Sequence, residues 1–254
     1  MRGAVASSGA LMRRGLNEVL RVPGAAIPGI LAPSIFMLGI TSVFGRLTHL
    51  DGFPTDRYLS FIVPITLLQA AGFSGAATGV NLARDIEHGW FDRLLVSPVP
   101  RWALLGSTLA SGALRAVLPI TFALVLAFSL GVPFPGAGPL ALAVLLALAF
   151  SFVAAGWGVA VALRFKTQSA APLMQAGMFM LILFTPSYAP QALLTGVLAD
   201  VAAVNPVRHV VAGIRQVFVG DVTWAATWPA IVVLAGLVGV LGSFALWMLE
   251  RSGR

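Results

Sequence analysis

The sequence contains no cysteine and very little charge. Only 10% of its 254 residues are charged, whereas a soluble domain carries about 25%. Without cysteine the chain cannot form a disulfide, a thiolate metal site or a cysteine nucleophile. With 58% hydrophobic residues, a soluble chain would have too few polar side chains to cover its surface. A bilayer removes that requirement, so we expect a single membrane domain over residues 1–254.

Lysine is nearly absent as well, and this bears on the source of energy. A phosphate-binding loop needs a glycine-rich turn followed by Lys-Ser or Lys-Thr. Lys166 is the only lysine and precedes Thr167, but no glycine lies between Gly158 and Gly177. We therefore predict no ATPase motif in this chain. Because the other 15 basic residues are arginine, a GC-rich bacterial source is favoured.

The apolar residues fall into long runs. Six of them have roughly the 20 residues that a transmembrane helix needs, and they cover 25–44, 59–82, 104–130, 140–163, 170–184 and 226–249. The pattern predicts an all-α integral membrane protein with about six transmembrane helices. At helical spacing, residues 9–22 place apolar side chains on one face and mostly basic side chains on the other, which predicts an interfacial amphipathic helix. Residues 187–223 are only moderately apolar and predict half-inserted outer helices in a re-entrant segment.

The basic residues lie mainly on one side of this predicted topology. With the N-terminus inside, inner segments hold eleven basic residues and outer segments hold four. The positive-inside rule then places both termini in the cytoplasm of a multi-pass protein of the bacterial plasma membrane. The net charge of +7 points to membrane lipid rather than nucleic acid as its partner, because the cations cluster at the ends of apolar runs.

The segment between the second and third runs, residues 84–101, is unusually polar. It reads Arg-Asp-Ile-Glu-His-Gly-Trp-Phe-Asp-Arg-Leu-Leu-Val-Ser-Pro-Val-Pro-Arg. A solvated loop is one interpretation. The mixture of both charge signs with Trp90, Phe91, Leu94 and Leu95 instead favours docking to a soluble partner.

This segment resembles the corresponding region of type-2 ABC transporter permeases, and is similar to the branch that contains the daunorubicin and doxorubicin resistance exporters. That branch shows an acid, a glycine, Asp-Arg and a proline before the third span, positions held here by Asp85, Gly89, Asp92-Arg93 and Pro98. The resemblance extends to Arg115 within the third run, and to Asn205-Pro206-Val207 with Arg215 before the last run.

The resemblance implies a division of labour. A separate ATPase subunit, which would hold ATP and Mg²⁺, would dock on a cytoplasmic coupling loop at 84–101, and this chain would bind no cofactor. The residues implied in coupling are Asp85, Glu87, Gly89, Asp92, Arg93, Pro98 and Arg101. A second permease subunit would complete a homodimer or heterodimer. The implied activity is export of a hydrophobic or amphiphilic small molecule (a drug, polyketide or lipid), with export of a lipid-linked glycan as the alternative.

Several side chains inside the runs are candidates for helix packing or for a translocation path. Gly75 and Gly79 form a Gly-x-x-x-Gly pair that lets helices approach closely. Methionine surfaces adapt to varied apolar ligands, and Arg115 either snorkels to the interface or links to a neighbouring helix. The full set is Gln69, Gly75, Gly79, Arg115, Met174, Gln175 and Met178.

One enzymatic alternative remains. Gly72-Phe73-Ser74-Gly75 resembles the Gly-x-Ser-Gly pattern of rhomboid intramembrane proteases. A serine nucleophile needs a base within hydrogen-bond reach, yet His49, His88 and His209 all fall outside the predicted spans. The same three histidines are too scattered for a metal site. We therefore predict a transporter subunit with no catalytic residue and no metal.

Overall fold

The structure is a computed structural model that describes residues 23–91 and 100–251, with side chains from residue 29 onwards. Within these ranges the chain forms eight α-helices and no strand. The helices are α1 (Pro23–Phe44), α2 (Tyr58–Glu87), α3 (Arg101–Ser129), α4 (Ala137–Phe165), α5 (Ala171–Leu183), α6 (Gly196–Val204), α7 (Val207–Val219) and α8 (Trp224–Arg251). Short 3₁₀ turns cover Gly45–His49, Gln168–Ala170 and Gln191–Leu193. The predicted interfacial helix at 9–22 lies outside the described residues.

Five helices are long and apolar enough to cross a bilayer: α1, α2, α3, α4 and α8. A sixth crossing is reached if the bent pair α6–α7 counts as one. The expected all-α membrane protein with about six spans is therefore confirmed. The fifth predicted run corresponds to α5, whose 13 residues extend about 20 Å. That is less than the roughly 30 Å hydrocarbon core, so α5 alone is too short to cross.

Helix α2 lies at the centre of the bundle. It contacts α1, α3, α4, α5 and α7, and 83% of its most apolar stretch is buried. The corresponding share is 17% for α1 and 11% for α8. Because α2 is shielded from lipid by its neighbours, it tolerates polar side chains such as Gln69 and Thr78, both of which are buried.

The predicted re-entrant segment contains two short helices, α6 and α7, which meet at an angle of 89°. Pro206 prevents α6 from continuing, since proline lacks a backbone N–H and restricts the residue before it. The side-chain oxygen of Asn205 accepts a hydrogen bond from Val207 N at 3.0 Å, which supports the first turn of α7. One face of α7 is apolar at helical spacing. Its buried residues include Val207, Val210, Val211, Ile214 and Val217.

The two ends of α2 define two ends of the bundle. At the Tyr58 end, the Tyr58 hydroxyl donates to the carbonyl oxygen of Tyr188 at 2.7 Å, and Arg57 donates to the Gly131 carbonyl. At the Glu87 end lie the start of α3, the end of α4 and the end of α8. The described basic residues at this end are Arg84, Arg101, Arg164, Lys166 and Arg251.

Candidate functional site

Helix α2 continues further than expected into the predicted coupling loop. The residues from Arg84 to Glu87 form its last turn, because Ala83-Arg84-Asp85-Ile86-Glu87 contains no helix breaker. Gly89 follows with φ +68°, a left-handed conformation that glycine adopts at helix C-termini. Its N–H donates to the Ile86 carbonyl at 3.0 Å. The expected loop at 84–101 is therefore corrected: the chain leaves the helix only at His88.

Glu87 joins this turn to the connection between α4 and α5. Its carboxylate accepts from the Thr167 hydroxyl at 2.7 Å, from Gln168 N at 2.9 Å and from Gln168 Nε2 at 2.7 Å. Arg84 Nε in turn donates to Gln168 Oε1 at 3.3 Å. We call Arg84, Glu87, Thr167 and Gln168 the Glu87 junction. Charge-assisted hydrogen bonds such as these are stronger and more directional than neutral ones, so they hold the last turn of α2 against the α4–α5 connection.

Arg101 makes a second connection, to the end of α8. Its Nη1 donates to the carbonyl oxygen of Glu250 at 2.7 Å and of Leu249 at 3.4 Å. The last carbonyls of a helix have no partner within it, and a cation near them is favoured by the helix dipole. Arg101, predicted to couple the ATPase, thus caps α8 in this chain.

The aromatic residues after Gly89 divide between the bundle and its surroundings. Phe91 is 7% exposed and packs in an apolar cluster with residues of α3, α4 and α8, including Leu105, Leu163 and Leu249. Trp90 is 38% exposed. The expectation that both face a partner is corrected for Phe91, which is buried within its own chain.

The other residues implied in coupling are only partly described. Asp85 is half-buried in the last turn of α2, and Gly89 is exposed. Asp92, Arg93 and Pro98 lie outside the described residues. What the structure does show is that both flanks of the segment 88–100 are anchored, one by Glu87 and one by Arg101.

The glycine pair of α2 lies against α4. A methyl group at Gly75 would come within 2.7 Å of Ala154 Cβ and 3.0 Å of Ala155 N, and one at Gly79 within 2.5 Å of Gly158 Cα. The backbones of α2 and α4 therefore meet with no side chain between them, as small residues permit in membrane helices.

Other candidates from the predicted path lie in the same interior. Gln69 is buried, and its Nε2 donates to the Tyr188 hydroxyl at 3.3 Å. Met174 and Met178 are buried in the main apolar core. Gln175 Nε2 donates to the Phe73 carbonyl at 3.4 Å. In this structure these side chains make contacts between helices.

Arg115 lies at the midpoint of α3 and is half-buried. The midpoint of a helix of 29 residues is about 21 Å from either end, which is deep for an arginine that snorkels. Close to it along α3, Gly112 faces Thr78 of α2, where an added methyl would lie 2.6 Å from the hydroxyl oxygen.

The three histidines lie in parts of the described chain other than the middle of α2, which holds Ser74. His88 Nδ1 lies 2.8 Å from the Arg84 carbonyl, at the Glu87 end. His209 Nε2 accepts from Arg208 Nε at 3.4 Å in α7, and His49 lies in the first 3₁₀ turn. Nor do the described residues contain a group of acids and histidines that could hold a metal ion.

Sequence reasoning missed the partners that make the Glu87 end specific. Thr167 and Gln168 follow Lys166 in a short inner loop with no family motif, so no sequence pattern marks them as partners of Glu87. Trp157 was also missed, although its indole Nε1 donates to the Met174 carbonyl at 3.2 Å. The one available signal was the presence of uncharged polar residues beside the charges of that loop.

Comparison with known proteins decides the family. The profile of the ABC-2 type transporter family matches residues 7–219. The chain belongs to the ABC-2 type transporter family. The family expected from the segment at 85–101 is thereby confirmed.

Two relatives illustrate where the ABC-2 chain stands. A probable multidrug ABC transporter permease of Escherichia coli K12, YbhR, is 27% identical over 209 residues, which cover 78% of this chain and 54% of the relative. A probable doxorubicin resistance ABC transporter permease of Mycobacterium tuberculosis, DrrC, is 30% identical over 124 residues, which cover 49% of this chain and 43% of the relative. The ABC-2 chain thus spans about half the length of the relatives it matches.

Proposed function

We propose that this chain is the membrane-spanning subunit of an ATP-driven exporter, with ATP hydrolysed by a separate ATPase subunit. The ATPase docks on the segment 88–100 at the Glu87 end, which faces the cytoplasm. The observation that carries the proposal is the anchoring of both flanks of this segment, by Glu87 to the α4–α5 connection and by Arg101 to α8. A force on the segment would therefore reach several spans rather than a free loop.

The orientation is supported by charge. Arg84, Arg101, Arg164, Lys166 and Arg251 share the Glu87 end of the described bundle. Arginine and lysine are enriched in cytoplasmic segments of membrane proteins. The Tyr58 end, with Tyr188 and the bent pair α6–α7, then faces outward.

The proposed cargo is a hydrophobic or amphiphilic small molecule. This rests on the names of the relatives, a multidrug permease and a doxorubicin resistance permease, and on the apolar character of the spans. A second permease subunit, identical or related, completes the membrane part of the complex, as the resemblance to type-2 ABC transporter permeases implies.

Co-purification tests the docking site. The chain is purified in mild detergent from cells that also express the ATPase encoded with it, and the double variant Asp92→Ala, Arg93→Ala is compared with the wild type. A matched control, Arg46→Ala with Asp51→Ala, removes one arginine and one acid that are exposed at the Tyr58 end. We expect the wild type and the control to retain the ATPase and the first variant to lose it.

Failure would be equally clear. A well-folded wild type that retains no ATPase contradicts the exporter assignment, and equal loss in both variants contradicts the docking site. Export is then measured in inside-out vesicles with doxorubicin as the probe. ATP-dependent uptake of doxorubicin supports a drug cargo, while its absence from an active ATPase complex points to another amphiphile, such as a lipid-linked glycan.

A further inference from the structure

Helix α5 is held by polar contacts at both of its ends. It begins just after the Gln168–Ala170 turn, whose first residue is bound by the Glu87 carboxylate. At its other end, the carbonyl oxygens of Leu181 and Phe184 accept from Asn205 Nδ2 at 2.8 and 2.7 Å. The last turn of a helix normally leaves these carbonyls without partners, so Asn205 ties α5 directly to the bend between α6 and α7.

The same outer region contains a second link. Arg215 of α7 donates from Nη2 to the Ser187 carbonyl at 3.1 Å, and its guanidinium lies 3.7 Å from the centre of the Phe61 ring. Ser187 follows α5 by a few residues, and its hydroxyl donates to the Ile182 carbonyl at 2.7 Å. Thus the chain that leaves α5 is bound to α7 as well as to the bend.

Along its length α5 packs against the bundle mainly on one side. Met174 and Ile182 are fully buried, whereas Leu173 is 45% and Met180 is 55% exposed. The buried side follows α2 and α4, and a methyl at Gly177 would come within 2.8 Å of the Trp157 ring. A short helix with one uncovered side and two bound ends is suited to shift as a unit.

We propose that α5 connects the two ends of the bundle mechanically. A displacement of the segment 88–100 moves the Glu87 junction, and α5 moves with the junction. Through Asn205, this movement changes the angle between α6 and α7 on the outer side. Glu87, Thr167 and Asn205 are positioning residues for transport in this mechanism. The inference rests on the proposed function, because it takes the movement of the ATPase as the source of the displacement.

Because the sequence contains no cysteine, a single introduced thiol can report on the movement of the bend through its rate of labelling. Val204 is the last residue of α6 and is 80% exposed, so Val204→Cys places a single thiol beside the bend. The full complex with its ATPase is reconstituted in vesicles, and the rate of labelling by a maleimide is measured with and without ATP and vanadate. We expect the trapped state to change this rate about fivefold or more, the lower range for coupled sites.

Three variants in the Val204→Cys background test the path. Glu87→Ala removes the carboxylate bonds of the inner link and leaves the bond from Arg84 to Gln168. Thr167→Val removes one of those carboxylate bonds. Asn205→Ala removes the bonds from the bend to α5 and leaves the bond from Arg215 to Ser187. Glu250→Ala is the matched control, since it deletes an exposed acid at the same end whose backbone alone binds Arg101. Basal ATP hydrolysis and ATPase retention are measured in every sample.

The expected result is that Glu87→Ala and Asn205→Ala strongly reduce the ATP-dependent change in labelling, that Thr167→Val reduces it less, and that Glu250→Ala preserves it, while all retain the ATPase and hydrolyse ATP. A change of wild-type size in Glu87→Ala or Asn205→Ala overturns the proposal. Loss of the ATPase from Glu87→Ala also overturns it, because Glu87 would then belong to the docking surface. A wild type that binds no ATPase refutes the proposed function itself, which separates the two failures.

Discussion

The contact between α2 and α4 predicts a large effect from one added methyl group. In the change Gly79→Ala, the new Cβ would lie within 2.5 Å of Gly158 Cα. Carbon atoms attract best at about 3.5 to 4.0 Å, so the helices would have to separate by about 1 Å. Overpacking of this kind costs about 1–3 kcal/mol. Since backbone rather than a flexible side chain is in the way, we expect the upper part of that range.

The assay is thermal unfolding of the purified chain in detergent. Gly239→Ala is the matched control, because Gly239 lies inside α8 and a methyl there would meet nothing within 4 Å. Alanine is favoured over glycine within a helix by about 0.5–1 kcal/mol, so this control should be as stable as the wild type or more so. Equal stability of Gly79→Ala and Gly239→Ala would refute the packing argument.

Three other substitutions test individual contacts. Arg101→Gln removes the charge at the end of α8 and should cost about 0.3–1 kcal/mol in detergent unfolding; unchanged stability would count against the cap. Asn205→Ala leaves two carbonyls without their donor and should cost about 1–3 kcal/mol in detergent unfolding; no loss of stability would mean that the bend does not depend on Asn205. Tyr58→Phe removes only the bond to the Tyr188 carbonyl and should cost about 1 kcal/mol; a neutral result would show that water replaces the hydroxyl.

The spans were predictable because hydropathy acts locally. Each long apolar run became a helix, and the predicted edges moved outward where the chain continued helical: 59–82 became Tyr58–Glu87 and 226–249 became Trp224–Arg251. Charged ends such as Glu87 and Arg251 extend beyond the apolar stretch, because a helix does not stop where its side chains become polar. The break at Asn205-Pro206 also has a local cause, because proline lacks the backbone N–H that a continuing helix needs.

The contacts at the Glu87 end were not predictable from local pattern. Glu87 and Gln168 are 81 positions apart, and no periodicity reports which loops meet. The resemblance to the permease family singles out Glu87 and Arg101 as coupling residues, and this role stays a prediction. It could not show that Glu87 binds the α4–α5 connection or that Arg101 binds the end of α8, since both depend on tertiary packing. Phe91 likewise turns inward because an apolar cluster of three helices is there to receive it.

The uneven burial of the helices has a consequence for how the bundle responds to the thickness of its membrane. Most of the apolar stretch of α2 is enclosed by other helices, whereas α1 and α8 are largely uncovered by the described chain. A change in bilayer thickness acts on the tilt of helices that touch lipid. Thicker or thinner membranes should therefore reorient α1 and α8 first and leave α2 nearly still. The inner helix would serve as a fixed axis, and lipid composition would adjust the parts that turn around it.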